Sequence, residues 1–244
     1  MFTVDERTQL RDALVAAARA DPRIGGAAIT GSASLGREDA WSDIDLALSV
    51  TGNEAEVVGD WTRRMYDAGA VHHVDLVRAG TRFRVFLLAT TLQVDIAFWP
   101  DAEFGPTAPT FRLLFGSARD PRSLPGPSPV ELIGMGWIYA LHARSAIARG
   151  RVLQAEHMIS VMRDEVLALA CLRHGLPAAH ARGADDLPPS EAVPRGLVRT
   201  LDRPELLRAS GVVTEALIGE VQVVDPGLAA RLSGPLRAMA AGTD

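Results

Sequence analysis

The stretch Ile24-Gly25-Gly26-Ala27-Ala28-Ile29-Thr30-Gly31-Ser32-Ala33-Ser34-Leu35-Gly36, followed after four residues by Trp41-Ser42-Asp43-Ile44-Asp45-Leu46-Ala47-Leu48-Ser49-Val50, decides how this chain is read. Its first seven residues are apolar or small and read as a buried strand. Gly31-Ser32 ends that strand, and a small, polar loop runs on to Ser42. From 43 to 50 the pattern alternates strictly. Asp43, Asp45, Ala47 and Ser49 face one way, and Ile44, Leu46, Leu48 and Val50 the other. Side chains on such a strand alternate sides, so Asp43 and Asp45 project together, roughly 6–7 Å apart at Cα. Two ionised carboxylates at that spacing repel, and a divalent cation between them reverses the sign of the interaction. Mg²⁺ suits the pair, because it is commonly held by one or two carboxylates together with substrate phosphates. Gly31 lets the backbone approach a phosphate, and Ser32 and Ser42 offer small hydroxyls nearby.

Upstream, Thr3-Val4-Asp5-Glu6 has the form of a capping box opening a helix that stops at Asp21-Pro22. Downstream, residues 54–68 read as a helix closed by Gly69. Strands follow at 71–77, 83–88 and 92–98, the last two joined by Ala89-Thr90-Thr91. Asp95 interrupts the apolar run of the last strand, and an aspartate in mid-strand needs a reason. Between Pro100 and Pro129, prolines at 106, 109, 121, 125 and 127 break any long element. That stretch reads as a linker with one turn of helix at Phe111–Phe115. Beyond it helices are expected at 130–149 and 151–173, with weaker ones at 191–201, 204–220 and 225–241. In the second of these, Met158, Met162, Val166, Leu169 and Leu172 form one buried stripe.

Composition narrows the chemistry. The 244 residues allow one large domain or two small ones at about 100–200 residues each. Apolar residues make up 48%, enough for a real core, yet no run approaches the ~18 needed for a membrane span, so none is expected. The acidic start, Met1 to Arg7, lacks a basic-then-apolar pattern, so a cytoplasmic rather than secreted protein is expected. All 25 basic residues are arginine, which excludes a P-loop lysine, a Schiff-base lysine and a lysine general base. The net charge of −5 argues against a protein that tracks a nucleic-acid backbone. Cys171 stands alone in an apolar run, so it forms no internal disulfide and reads as a small buried hydrophobe.

Gly31-Ser32-Ala33-Ser34-Leu35-Gly36 with Trp41-Ser42-Asp43-Ile44-Asp45-Leu46, and Asp95 on a later strand, resembles the signature of the DNA polymerase β-like nucleotidyltransferase superfamily. The match covers residues 24–98, about a third of the chain. A small catalytic domain followed by a helical one is similar in layout to the nucleotidyltransferases acting on aminoglycosides and lincosamides. The resemblance implies an α+β fold, with an N-terminal mixed β-sheet flanked by helices at 1–120 and a C-terminal helical bundle, the acceptor-binding domain, at 121–244. It implies that Asp43 and Asp45 hold two Mg²⁺ ions, one carrying the triphosphate of ATP or another nucleotide. Asp95 would complete the second metal site or act as the base. Gly31, Ser32, Ser42 and Arg37 would contact the nucleotide, with Arg82 and Arg84 as further candidates for the triphosphate. The implied reaction moves AMP onto a hydroxyl of a small molecule, an antibiotic by layout, and releases pyrophosphate.

Two alternatives stay open on the sequence. One is a non-catalytic, antitoxin-like binding protein that keeps the fold, and the other is a protein adenylyltransferase. In the 151–173 helix, His157 and Asp164 lie two turns apart on one face, away from the apolar stripe. With Tyr139 they are the acceptor-binding candidates, and a solvated helix face is the plainer reading. Glu165, Trp137 and His142 share that ambiguity. His72-His73-Val74-Asp75 invites a metal site, but adjacent histidines on a strand point to opposite faces, which favours a structural role. The apolar C-terminal helices serve a homodimer as readily as a core.

Overall fold

The computed structural model describes residues 1–78, 80–122, 126–191 and 193–241, with Arg78 described by its backbone alone. Pro125 of the proline-rich stretch and Ala192 of the expected 191–201 helix lie outside the described residues. The chain divides into two compact units, Met1–Leu124 and Pro125–Asp244.

The first unit begins with α1 (Val4–Ala20), and its capping box forms as read. The Glu6 backbone N–H donates to Thr3 Oγ1 at 3.2 Å, and the Thr3 N–H donates to Glu6 Oε2 at 2.7 Å. Next come β1 (Ile24–Thr30), the single turn α2 (Gly31–Ser34) and β2 (Ile44–Val50). Helix α3 (Glu54–Asp67) follows, capped by Asn53, whose side-chain oxygen accepts from the Ala55 N–H at 3.0 Å. Strands β3 (Ala70–Arg78), β4 (Thr81–Leu88), β5 (Gln93–Pro100) and β6 (Phe111–Phe115) complete one six-stranded sheet.

The order is β3-β4-β5-β2-β1-β6, and only the central β2–β5 pair is parallel. A parallel pair needs a long crossover, and here α3 and the β3–β4 hairpin supply it. One face of the sheet buries Ile44, Leu46, Leu48, Val94, Ile96 and Phe98 with Leu14 of α1 and Trp61 and Met65 of α3. The other carries a smaller cluster, Ala28, Ala47, Ala97, Trp99 and Phe104.

Three local expectations change. Strand β2 starts at Ile44, so Asp43 is the last residue of the preceding loop rather than part of the strand. The segment after Thr30 is not loop throughout, because Gly31–Ser34 makes one helical turn. Phe111–Phe115 is a strand, not a turn of helix. Its backbone pairs with the open edge of β1, Thr30 opposite Phe111 and Ala27 opposite Phe115. A five-residue, mostly apolar run has no period long enough to separate helix from strand, so a distant partner decides. Arg19 of α1 reinforces the choice, with its guanidinium 4.6 Å above the Phe115 ring and a 2.9 Å bond to the Leu114 carbonyl.

Among the described residues of the second unit the long elements are all helices: α4 (Pro129–Ala148), α5 (Val152–Arg173), α6 (Arg203–Val224) and α7 (Pro226–Ala240). Small residues let the helices approach closely: Ala140, Ala143 and Ala146 are buried on α4, and a Cβ added to Gly136 would meet Leu217 of α6 at 2.9 Å. Of the expected stripe on α5, Met162, Val166 and Leu169 are buried, while Met158 and Leu172 are half-buried. Cys171 is fully buried, as read.

Among the described residues of 191–201 no α-helix forms, and only Pro194–Gly196 makes a 3-10 turn. Proline disfavours a right-handed helical residue before it, and Val193 accordingly sits at φ +47°. Helix α6 starts afresh where the Asp202 side chain accepts from the Glu205 N–H at 2.9 Å. Among the described residues no helix is long and apolar enough to cross a membrane.

Candidate metal centre

Strand register assembles the site. Asp45 of β2 lies directly opposite Asp95 of β5 in the parallel ladder, so both side chains project from the same face of the sheet. Asp43, at the loop's end, completes the group. One carboxylate oxygen from each of the three lies within 4.8 Å of the others, and all three residues are half-buried. Burial pushes the Asp95 carboxyl up from its usual range. Asp43's charge adds to the rise, against a hydrogen bond from Gln93 Nε2 at 3.0 Å that opposes it. Three oxygen donors of like charge, partly withdrawn from water, match the ligand preference of Mg²⁺.

Gly31 makes room for one of them. Its φ is +62°, and a Cβ built on it would stand 2.0 Å from Asp45 Oδ2. The glycine therefore admits a carboxylate, a closer constraint than the phosphate approach read from the sequence. Ser32 lies in the first turn of α2, its carbonyl accepting from the backbone N–H groups of Leu35 and Arg37 at 3.2 and 3.0 Å. Arg37 is exposed on the following loop. The Ser42 hydroxyl is engaged within that loop, accepting from the Asp39 N–H at 2.9 Å and donating to Asp39 Oδ1 at 3.0 Å. It staples the approach to Asp43.

The residue that the sequence reading missed is Arg7. It is only 2% exposed, on the same stripe of α1 as Leu14 and Ala18. Its Nη1 donates to the backbone carbonyls of Asp39 and Ser42, the latter at 3.1 Å and immediately before Asp43. Its Nε lies 3.4 Å from Glu38, which Arg11 also holds at 2.7 Å. An arginine at an apolar position of a helix was the available signal, but its partners lie more than thirty residues away. Arg7→Met is expected to lower stability by about 2–3 kcal/mol, because the part-buried bonds to two carbonyls lose their charged donor. Urea unfolding of the variant checks this.

Arg82 and Arg84 are not at the site. They lie opposite Phe98 and Ile96 of β5, residues of the helix-side core, and so face away from Asp95. Asp75 holds both, at 2.6 Å from Arg82 Nη1 and 2.6 Å from Arg84 Nε, and Glu54 takes Arg82 Nε at 3.0 Å. His73 pairs with the Tyr66 hydroxyl at 3.0 Å, and His72 is exposed.

The two arginines hold the Asp75 carboxyl at about 2, below its ordinary 3.8. A carboxyl depressed on folding adds stability that is complete above the unfolded value and lost as pH falls from 3.8 toward 2. The stability gap between the protein and its Asp75→Asn variant should be constant near neutrality and close across that window. Urea unfolding at a series of pH values reads it directly.

In the helical unit, His157 and Asp164 are exposed on α5, and Tyr139 of α4 packs half-buried against the helical core. Trp137 and His142 are exposed. Burial, then the charge of Asp164, pushes the Glu165 carboxyl up.

No family model and no curated protein matches the chain. Among solved structures, an aminoglycoside 6-adenyltransferase from Bacillus subtilis is similar, with a TM-score of 0.40 and 11% sequence identity over 96% of this chain and 98% of that one. A likeness of that strength assigns neither family nor substrate.

Proposed function

We propose that the chain is a Mg²⁺-dependent nucleotidyltransferase of the DNA polymerase β-like superfamily, moving AMP from ATP onto a hydroxyl of a small molecule. The observation that carries the reading is the convergence of Asp43, Asp45 and Asp95 beside Gly31, with carboxylate oxygens within 4.8 Å of one another. These three carboxylates would hold the metal. Bound there, Mg²⁺ supplies positive charge to the attacking and leaving oxygens of an in-line displacement.

The remaining work falls to the chain's own groups. Asp95, on β5 beside the other two carboxylates, accepts the proton of the acceptor hydroxyl. The acceptor oxygen bonds to the α-phosphorus as the bond to the pyrophosphate oxygen breaks, and pyrophosphate leaves with that electron pair. Gly31 and Ser32 border the nucleotide, and Arg37 meets the triphosphate. Arg7 positions the loop that ends in Asp43. His157, Asp164 and Tyr139 of the helical unit are residues to test for a contribution to acceptor recognition.

Nucleotide binding with and without Mg²⁺, then pyrophosphate release with each of the four nucleotides and a panel of aminoglycosides, lincosamides and other polyols, tests the reading. Mg²⁺-dependent binding with release abolished in Asp95→Asn is expected. Partner binding indifferent to that substitution, with no nucleotide bound, would instead identify a non-catalytic binding protein.

A further inference from the structure

The row of side chains that contains the acids continues across the sheet. Asp45 is opposite Asp95, Asp95 opposite Val85, and Val85 opposite Val74, a single line over β2, β5, β4 and β3. Rows on either side place Phe83 with Leu76, and Leu87 with His72, on the same face. That face carries no helix-side core, which lies under Phe86, Val94 and Ile96 on the reverse. Val74, Leu76 and Leu87 remain 50%, 42% and 49% exposed. Single exposed apolar residues need no explanation, but a contiguous patch abutting a polar cluster marks a binding surface. Strands stand about 4.8 Å apart, so the strip begins about 5 Å from Asp95 and extends about 10 Å from it.

We propose that this strip seats the acceptor, and that the acceptor is an uncharged hydroxylated molecule with an apolar face, not a polycation. The inference rests on the transferase reading and deepens it. In an in-line displacement the attacking oxygen and the leaving pyrophosphate stand on opposite sides of the α-phosphorus. Asp95 takes the acceptor's proton, which puts the attacking hydroxyl at β5, on the side away from β2 and Gly31. The body of the acceptor then lies over β4 and β3, where Val74, Leu76, Val85 and Leu87 stand. The nucleoside hangs from the α-phosphorus by its own ester oxygen, off that axis. A polycation in this position would need carboxylates. Among the described residues β4 and β3 place no carboxylate on this face beyond the metal-holding acids of β2 and β5, and the acid of β3, Asp75, faces the reverse side in its pairs with Arg82 and Arg84.

The test uses the full chain with methyl-labelled valine and leucine, Mg²⁺ and a non-hydrolysable ATP analogue. It is titrated with methyl glucoside, with octyl glucoside below its micelle concentration, and with an aminoglycoside. Octyl glucoside should shift the methyls of Val74, Leu76, Val85 and Leu87 and bind at least about ten-fold tighter than the other two, given the apolar area that its chain buries. Val74→Ser combined with Leu87→Ser, both at exposed positions, should abolish that gain and leave nucleotide affinity unchanged. Equal binding of the two glucosides overturns the proposal. So do strip shifts caused by the nucleotide alone, which would make the strip a base platform, or a dimer dissociated by the double variant. If the nucleotide binds with Mg²⁺ and the strip stays silent, this inference alone falls. If the nucleotide does not bind at all, the transferase reading falls with it.

Discussion

Asparagine at position 43 is expected to lower pyrophosphate release by about 10³-fold, the scale on which removing a preorganised charge from a transition state acts, while the metal-free protein melts at the same temperature or higher. The two halves of this expectation have one cause. Asp43 stands among three carboxylates within 4.8 Å, and its charge helps to push the Asp95 carboxyl up. Without a cation the cluster repels itself, so Asp43→Asn relieves the folded state and weakens metal binding together. Calorimetry in chelator and in Mg²⁺ separates the two effects. Mg²⁺ with ATP should raise the melting temperature of the unmodified protein through preferential binding to the folded state, and that rise should vanish in the variant. A loss of several degrees in chelator would instead make Asp43 a structural anchor and remove it from the site.

Gly31→Ala should be the second damaging change, and for a reason that its neighbour Gly36 isolates. Both glycines adopt positive φ, +62° and +66°. An alanine in the left-handed region is disfavoured by about 1–2 kcal/mol, and both substitutions should show that destabilisation in urea. Only Gly31 is also in contact. Its added methyl would fall 2.0 Å from Asp45 Oδ2 and 2.9 Å from Cγ, whereas nothing lies within 4 Å of the corresponding position at Gly36. Asp45 must turn out of the cluster to admit it. Gly31→Ala is therefore expected to weaken Mn²⁺ binding by at least about ten-fold, the loss of one of three first ligands exceeding the usual cost of a disturbed outer partner. Gly36→Ala should leave that binding intact. Equal metal affinity in the two variants would contradict this account of Gly31.

The features legible in the sequence were those fixed by neighbours in the chain. Thr3 and Glu6 cap α1 because they are three residues apart. Ile44 to Val50 reads as a strand from its own alternation, and Asp95 stood out because an acid is rare within an apolar run. What escaped the reading depends on partners far along the chain. Phe111–Phe115 becomes a strand only because β1 has a free edge, and Arg7 acquires its role from carbonyls of Asp39 and Ser42. Charge alone makes Arg82 and Arg84 candidates for the triphosphate. Their side of the sheet follows from the β4–β5 register, which pairs them with Phe98 and Ile96 and so turns them toward α3.

The parallel pairing of β2 with β5 has a consequence for how the protein comes into being. Asp45 and Asp95 are fifty positions apart in the chain, and they become neighbours only after α3, β3 and β4 have closed the excursion between them. Contacts of such long sequence separation form late, since closure entropy must be overcome before they are rewarded. A growing chain that has emerged only as far as β4 holds two of its three carboxylates and grips a divalent ion poorly. Cation affinity in this molecule is thus a gauge of completed topology, and a lanthanide ion added during refolding would light up at the end of the process, not at its start.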